Sequence, residues 1–280
     1  MVDKSKIDYS ALDRPEILMY LFHPRPEWGA PRSEEGAVDV LIPVEEDVVV
    51  GGRYYLAGKE ATNILFFHGN GEIVADYEDL APLYTKREIN FLPVDYRGYG
   101  RSTGRPTITA MMRDCHTIYE YTRNWLTENG HTGPLVVMGR SLGSASVLEL
   151  ISCYAREIDG LIIESGFAYA GPLLKLLGID MQAMGVAEEE GFRNVDKIRT
   201  FPKPTLVIHA EFDHIIPFSD GQALYDACPA DDKRLLMIPR ANHNDIFARG
   251  IEPYMEAVKE LTEKVARPQP HPNSGSRTTL

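Results

Sequence analysis

Short β-branched runs alternate along this chain with longer amphipathic segments. The strand candidates are Val38–Val44, Val48–Leu56, Asn63–His68, Phe91–Tyr96, Leu135–Gly139, Gly160–Glu164, Thr205–Ala210 and Arg234–Pro239. Several of them, such as NILFFHG, PLVVMG and TLVIHA, are apolar without interruption. A strand reads that way when helices cover both of its faces. The helix candidates are Glu72–Arg87, Ile108–Glu128, Ser141–Ala155, Ser219–Ala227 and Asp245–Ala266. The first two strands follow each other directly and can pair as an antiparallel hairpin. After them the order is strand, helix, strand, helix. That order predicts an α/β fold with a mostly parallel sheet and helices on both faces, with ligands binding beyond the carboxyl ends of the strands.

One stretch breaks the rhythm. Residues 167–201 separate two strands by more than a simple crossover needs, and include the apolar segment GPLLKLLGIDMQAMG. They form either a helical crossover or a small cap over the strand ends. Residues 1–15 read as weakly ordered, 16–266 as one α/β unit, and 267–280 as a disordered tail, because PQPHPNSGSRTTL nearly lacks large apolar side chains.

Composition narrows the partners. With 29 basic against 41 acidic side chains the formal charge is −12, which opposes binding to phosphate backbones, so nucleic acid is not an expected partner. Cys115, Cys153 and Cys228 show no CxxC spacing and read as free thiols of a reducing compartment. The N-terminus lacks the apolar core of a signal peptide, and no run reaches the length of a membrane span. The expected location is cytoplasmic. Oligomeric state is not legible.

Gly139-Arg140-Ser141-Leu142-Gly143 fits G-x-S-x-G. The pattern is weak alone, and a serine there can simply cap a helix. Its context is stronger: it follows the apolar run PLVVM and precedes the helical SASVLELISCYA. Strand, sharp turn and helix make a nucleophile elbow, which holds the serine exposed above the sheet. A serine hydroxyl needs a base, and the elbow arrangement places an acid and then a histidine downstream. His209 lies inside a buried strand pattern, His214 adjoins the candidate acid, and His271 lies in the tail. His243, in ANHND between the last strand and the last helix, is the candidate base. Asp213, just past TLVIHA, is the candidate acid, with Glu164 as an alternative. The backbone N–H groups of Leu142 and of Asn70, in the loop after FFHG, are the candidate oxyanion donors. His68 reads as support for that loop. Arg140 can attract a substrate anion or, more simply, pair with a nearby carboxylate.

FFHGNGE, VDYRGYGRSTG, MGRSLGS, LIIESGF, VIHAEFDHIIPF and ANHND occur in the order seen in α/β-hydrolase-domain serine hydrolases. The chain resembles that family from about Asn63 to Asp245. The resemblance implies an eight-stranded sheet, a Ser141–Asp213–His243 triad and the two amide donors already named. The family spans carboxylesterases, lipases, thioesterases, peptidases and inactive members.

The reading is hydrolysis of a small-molecule carboxylic ester or thioester through an acyl-enzyme, with no metal and no organic cofactor required. A peptidase on the same triad and a non-catalytic binding protein on this fold are the alternatives. Phe167, Tyr169, Leu173 and Leu177, with Leu176 and Met184, are candidates for lining an acyl pocket, or for ordinary core packing.

Overall fold

The computed structural model describes residues 2–29 and 35–267. Helix α1 (Pro15–Leu21) precedes an antiparallel hairpin of β1 (Ala37–Glu45) and β2 (Val48–Tyr55). Then follow β3 (Thr62–Phe67), α2 (Ala81–Thr85), β4 (Ile89–Val94), α3 (Ile108–Glu128), β5 (Leu135–Arg140), α4 (Gly143–Tyr154) and β6 (Gly160–Glu164). The chain continues through α5 (Ala170–Leu176), α6 (Asn194–Ile198), β7 (Thr205–Ala210), α7 (Phe218–Ala227), β8 (Lys233–Ile238) and α8 (Ile246–Ala266).

The eight strands form one sheet in the order β1-β2-β4-β3-β5-β6-β7-β8. β2 pairs antiparallel with β4, and every later pairing is parallel. Every residue of β3 through β7 is buried. Neighbouring side chains point to opposite faces, as the two-residue period of a strand requires. Leu65, Phe67, Val137 and Ile163 pack with α3, α4 and α7, while Ile64, Phe66, Val136, Ile162 and Ile208 pack with α2 and α8. Two buried faces explain why these strands read as unbroken apolar runs.

α3 has the boundaries its sequence predicts. Thr107 caps it, its side chain accepting from the Ala110 N–H at 3.0 Å, and Gly130 leaves it at φ +69°. The segment 72–87 is not the single helix expected. It contains a 3-10 turn at Val74–Tyr77 and then the short α2. The Asp76 carboxylate accepts from the Ile73 N–H at 2.9 Å, closing a local turn. Pro82 then supplies no N–H for a continuous helix and starts a new one. α8 bends at Gly250, whose φ of −144° is not helical, and Pro253 follows.

The N-terminal residues, expected to be weakly ordered, are pinned. Leu12 is fully buried, and Asp13 Oδ1 accepts from the Ile108 N–H at 2.7 Å, giving α3 a second cap. Lys4 Nζ lies 2.7 Å from Glu120, and Tyr9 Oη donates to Glu149 at 3.1 Å. These partners are about a hundred residues away in sequence, so no local pattern announces them. The tail expectation falls on 268–280, outside the described residues. Residues 167–201 carry α5, whose Leu173 borders the same cavity as Ser141 and His243, and α6, which packs on α4 and α7. Among the described residues no helix is long and apolar enough to cross a membrane.

Candidate active site

β5 ends at Arg140 and α4 begins at Gly143, so the chain reverses sharply across Ser141. Ser141 has φ +50°, a left-handed conformation costing on the order of 1–2 kcal/mol for a residue with a side chain. The turn is held from both sides. The Ser141 N–H donates to Glu164 O at 2.8 Å, and the Ser144 hydroxyl donates to Ser141 O at 2.6 Å. Glycines flank it for steric reasons: a Cβ at Gly139 would collide with the Gly143 carbonyl, and one at Gly143 with the Phe67 carbonyl.

The loop after β8 carries His243. Asp245 Oδ1 accepts from the Asn242 N–H at 2.6 Å, and Asn242 Oδ1 from the Asn244 N–H at 2.9 Å, which shapes the turn. His243 Nε2 lies 3.0 Å from Ser141 Oγ, and His243 Nδ1 lies 2.8 Å from Asp213 Oδ2. A carboxylate only accepts, so the network assigns the proton to Nδ1 and leaves Nε2 free to accept from the serine. Asp213 Oδ1 accepts from the N–H groups of Ile215 and Ile216 at 3.0 and 2.8 Å. Burial works to raise the Asp213 pKa. The His243 hydrogen bond and charge, with the two amides, outweigh it and hold the carboxyl below its ordinary value. The structure thus brings together Ser141, His243 and Asp213, from three separate strand ends.

The other candidates sit elsewhere. His209 is fully buried and donates from Nε2 to Ile216 O at 2.8 Å. His68 is buried with Nδ1 2.8 Å from Gly69 O and Nε2 3.3 Å from Asp95. The Glu164 carboxylate accepts from Tyr254 Oη at 2.7 Å and faces Arg140 rather than the histidine ring. Arg140 is buried and paired: Nε donates to Glu72 Oε1 at 2.9 Å, and Nη1 lies 3.4 Å from Glu164 Oε1. Burial opposes its charge, but Glu72 and Glu164 raise its pKa further above the ordinary value.

A cavity of about 240 Å³ opens beside Ser141 and His243. Asn70 and Leu142 border it, as do Leu173, Leu177 and Ile215. Four of the expected lining residues do not. Phe167 is fully buried against Phe192, because Asn194 Nδ2 holds its carbonyl at 2.8 Å and turns the ring into the core. Tyr169 is 44% exposed at the start of α5, away from the cavity, and Leu176 is 57% exposed on the outer side of α5. Met184 packs against the core. The sequence reading missed Tyr20, Leu21 and His23, which close the cavity from the N-terminal side. Their one signal was the apolar periodicity of PEILMYLF after a helix-starting proline. Two larger clefts, of about 560 and 570 Å³, contain none of Ser141, Asp213 and His243.

Away from this site, His116, Glu149 and Cys153 come within metal-binding distance of one another. The Lys197 ammonium sits 2.7 Å from Glu149 Oε2, so this carboxylate already has its cation.

The model of the family described as "Serine aminopeptidase, S33" matches residues 58–185. The chain is 28% identical over 216 residues to the uncharacterized protein YfhR of Escherichia coli K12, covering 76% of this chain and 74% of that one. It is 29% identical over 247 residues to alpha/beta hydrolase domain-containing protein 17C of Xenopus tropicalis, covering 85% of this chain and 74% of that one. Among solved structures, Est1E of Butyrivibrio proteoclasticus with ferulic acid bound superposes with a TM-score of 0.68 at 18% identity, covering 81% of this chain and 100% of that one. The Pyrococcus furiosus esterase Pf2001 gives a TM-score of 0.68 at 17% identity, covering 87% and 97%. Sheet order, strand directions and these likenesses agree on one architecture, and the chain has the α/β-hydrolase fold.

Proposed function

We propose that this protein is a serine hydrolase that cleaves a carboxylic ester or thioester through an acyl-enzyme. The observation that carries the reading is the chain of hydrogen bonds from Asp213 through His243 to Ser141 at the edge of an apolar cavity. In this mechanism Ser141 Oγ gives its proton to His243 Nε2 and attacks the substrate carbonyl. The Asn70 and Leu142 amides receive the developing oxyanion, and Asp213 stabilises the imidazolium. His243 then protonates the leaving group, and later takes a proton from the water that releases the acid.

The cavity suits an apolar acyl group. Taking about 30 Å³ for each water-sized group, it holds about eight of them. Esters of short and medium acyl chains are the expected substrates.

The family model's description favours a second reading, an aminopeptidase. Such an enzyme needs a carboxylate for the substrate's free ammonium. Among the described residues the one acidic side chain bordering the cavity is Glu72, already engaged by Arg140, Tyr77 and the Gly69 N–H. The ester reading therefore fits better.

The test is labelling with a fluorophosphonate, followed by turnover of p-nitrophenyl esters and acyl thioesters of increasing length beside aminoacyl anilides. Wild type is expected to label and to hydrolyse esters, and Ser141→Ala to do neither. A folded wild-type protein that takes no label would end this reading, and preference for anilides would move it to the peptidase.

A further inference from the structure

We propose that Arg140 is a positioning residue that ties the oxyanion loop and the histidine loop to the strand carrying Ser141. This rests on the serine-hydrolase reading above.

Arg140 is the last residue of β5, immediately before Ser141, and its guanidinium reaches in three directions. Nη2 donates to the main-chain carbonyl of His243 at 3.0 Å. Nε donates to Glu72 Oε1 at 2.9 Å. Nη1 faces Glu164 Oε1 at 3.4 Å. Each of these partners holds a different part of the site. Glu72 Oε2 accepts from the Gly69 N–H at 2.7 Å, next to the Asn70 amide, and from Tyr77 Oη at 2.6 Å. The main-chain carbonyl of Glu164 accepts from the Ser141 N–H at 2.8 Å. One cation thus links the elbow, the β6 end, the oxyanion loop and the loop of the base.

The residue types suit this task. A guanidinium offers donors in a rigid planar fork, and an ammonium at the same place cannot reach three separated acceptors with fixed angles. Gly69 lets its loop come close, since a Cβ there would lie 3.0 Å from Glu72 Oε2. Burying an ion network gives weak net stability compared with apolar packing, and one use of the buried charge is to fix a geometry. The distances concerned are those to which catalysis is sensitive, because a misplacement of about 1 Å can cost on the order of a hundredfold.

A substrate anion bound directly by Arg140 is the competing role, and kinetics separate the two. Arg140→Lys keeps the charge and loses the fork. Glu72→Gln is isosteric and turns one acceptor into a donor facing either Arg140 or Gly69. Both are assayed with neutral p-nitrophenyl butyrate and with the anionic mono-p-nitrophenyl succinate, with active sites counted by fluorophosphonate and folding checked by near-UV circular dichroism. A loss of about 10- to 100-fold in kcat, with KM within about threefold of wild type, is expected in both. If Arg140→Lys does not fold, the isosteric Glu72→Gln carries the test. Wild-type kcat in folded variants would overturn the proposal, and so would a raised KM at unchanged kcat, which belongs to anion binding. Turnover that survives Ser141→Ala would instead remove the serine mechanism, and this inference with it.

Discussion

Asp213 does two things with two oxygens. Oδ1 takes the amides of Ile215 and Ile216, which fixes the carboxylate, and Oδ2 takes the His243 Nδ1 proton, which fixes the tautomer. Asp213→Asn keeps the shape but can present an N–H to the ring. The proton then moves to Nε2, which no longer accepts from Ser141. We expect kcat to fall by about 10³- to 10⁴-fold with the fold intact, measured as steady-state ester hydrolysis beside a thermal melt. At this scale much was legible. Ser141, Asp213 and His243 each follow an apolar strand, and parallel strands deliver their carboxyl ends to one rim. The sequence left Phe167 open between pocket and core, because what its backbone carbonyl meets, Asn194, lies 27 positions further along.

The short helices α1 and α5 wall the cavity beside Ser141. Tyr20 and Leu21 come from one, and Leu173 and, just past its end, Leu177 from the other. Leu177→Trp adds an indole where the cavity is about 240 Å³. The kcat/KM for octanoyl esters should fall at least about tenfold relative to acetyl esters, since single pocket groups discriminate on that scale. A chain-length series in the two proteins checks it, and an unchanged profile would place the acyl group elsewhere. Elements with a strong period, such as α3 and the buried strands, were readable from local sequence. The break between Val74–Tyr77 and α2 was not, because there side chains bind the backbone in place of the next helical turn.

Over the whole molecule, the N-terminal segment is locked to the helical face by a buried polar cluster. Glu149 accepts from Tyr9 Oη and pairs with Lys197, with His116 Nε2 3.3 Å away. Burial works to raise the Glu149 pKa, yet the His116 hydrogen bond and the Lys197 charge lower it from 4.5 to about 2. A depressed carboxyl stabilises the fold above its unfolded value and loses that contribution as pH falls toward the folded one. Glu149→Gln is therefore expected to cost about 3 kcal/mol at pH 7, leaving Lys197 buried without its partner. The difference from wild type should shrink between pH 4.5 and about 2. Urea unfolding across that range measures it, and a gap that stays constant with pH would refute the linkage.

The order of apolar runs determined the α/β class, the mostly parallel sheet and the strand ends where chemistry belongs, because strand and helix periods are written in neighbouring residues. Tertiary structure alone decided that the N-terminus folds back on α3 and α4, that Tyr20, Leu21 and His23 wall the cavity, and that Arg140 meets Glu72 and the His243 carbonyl. The hydrogen bonds among these contacts span 68 to 103 positions. Their energy exists only once the sheet has brought the segments together, so no window along the chain contains it.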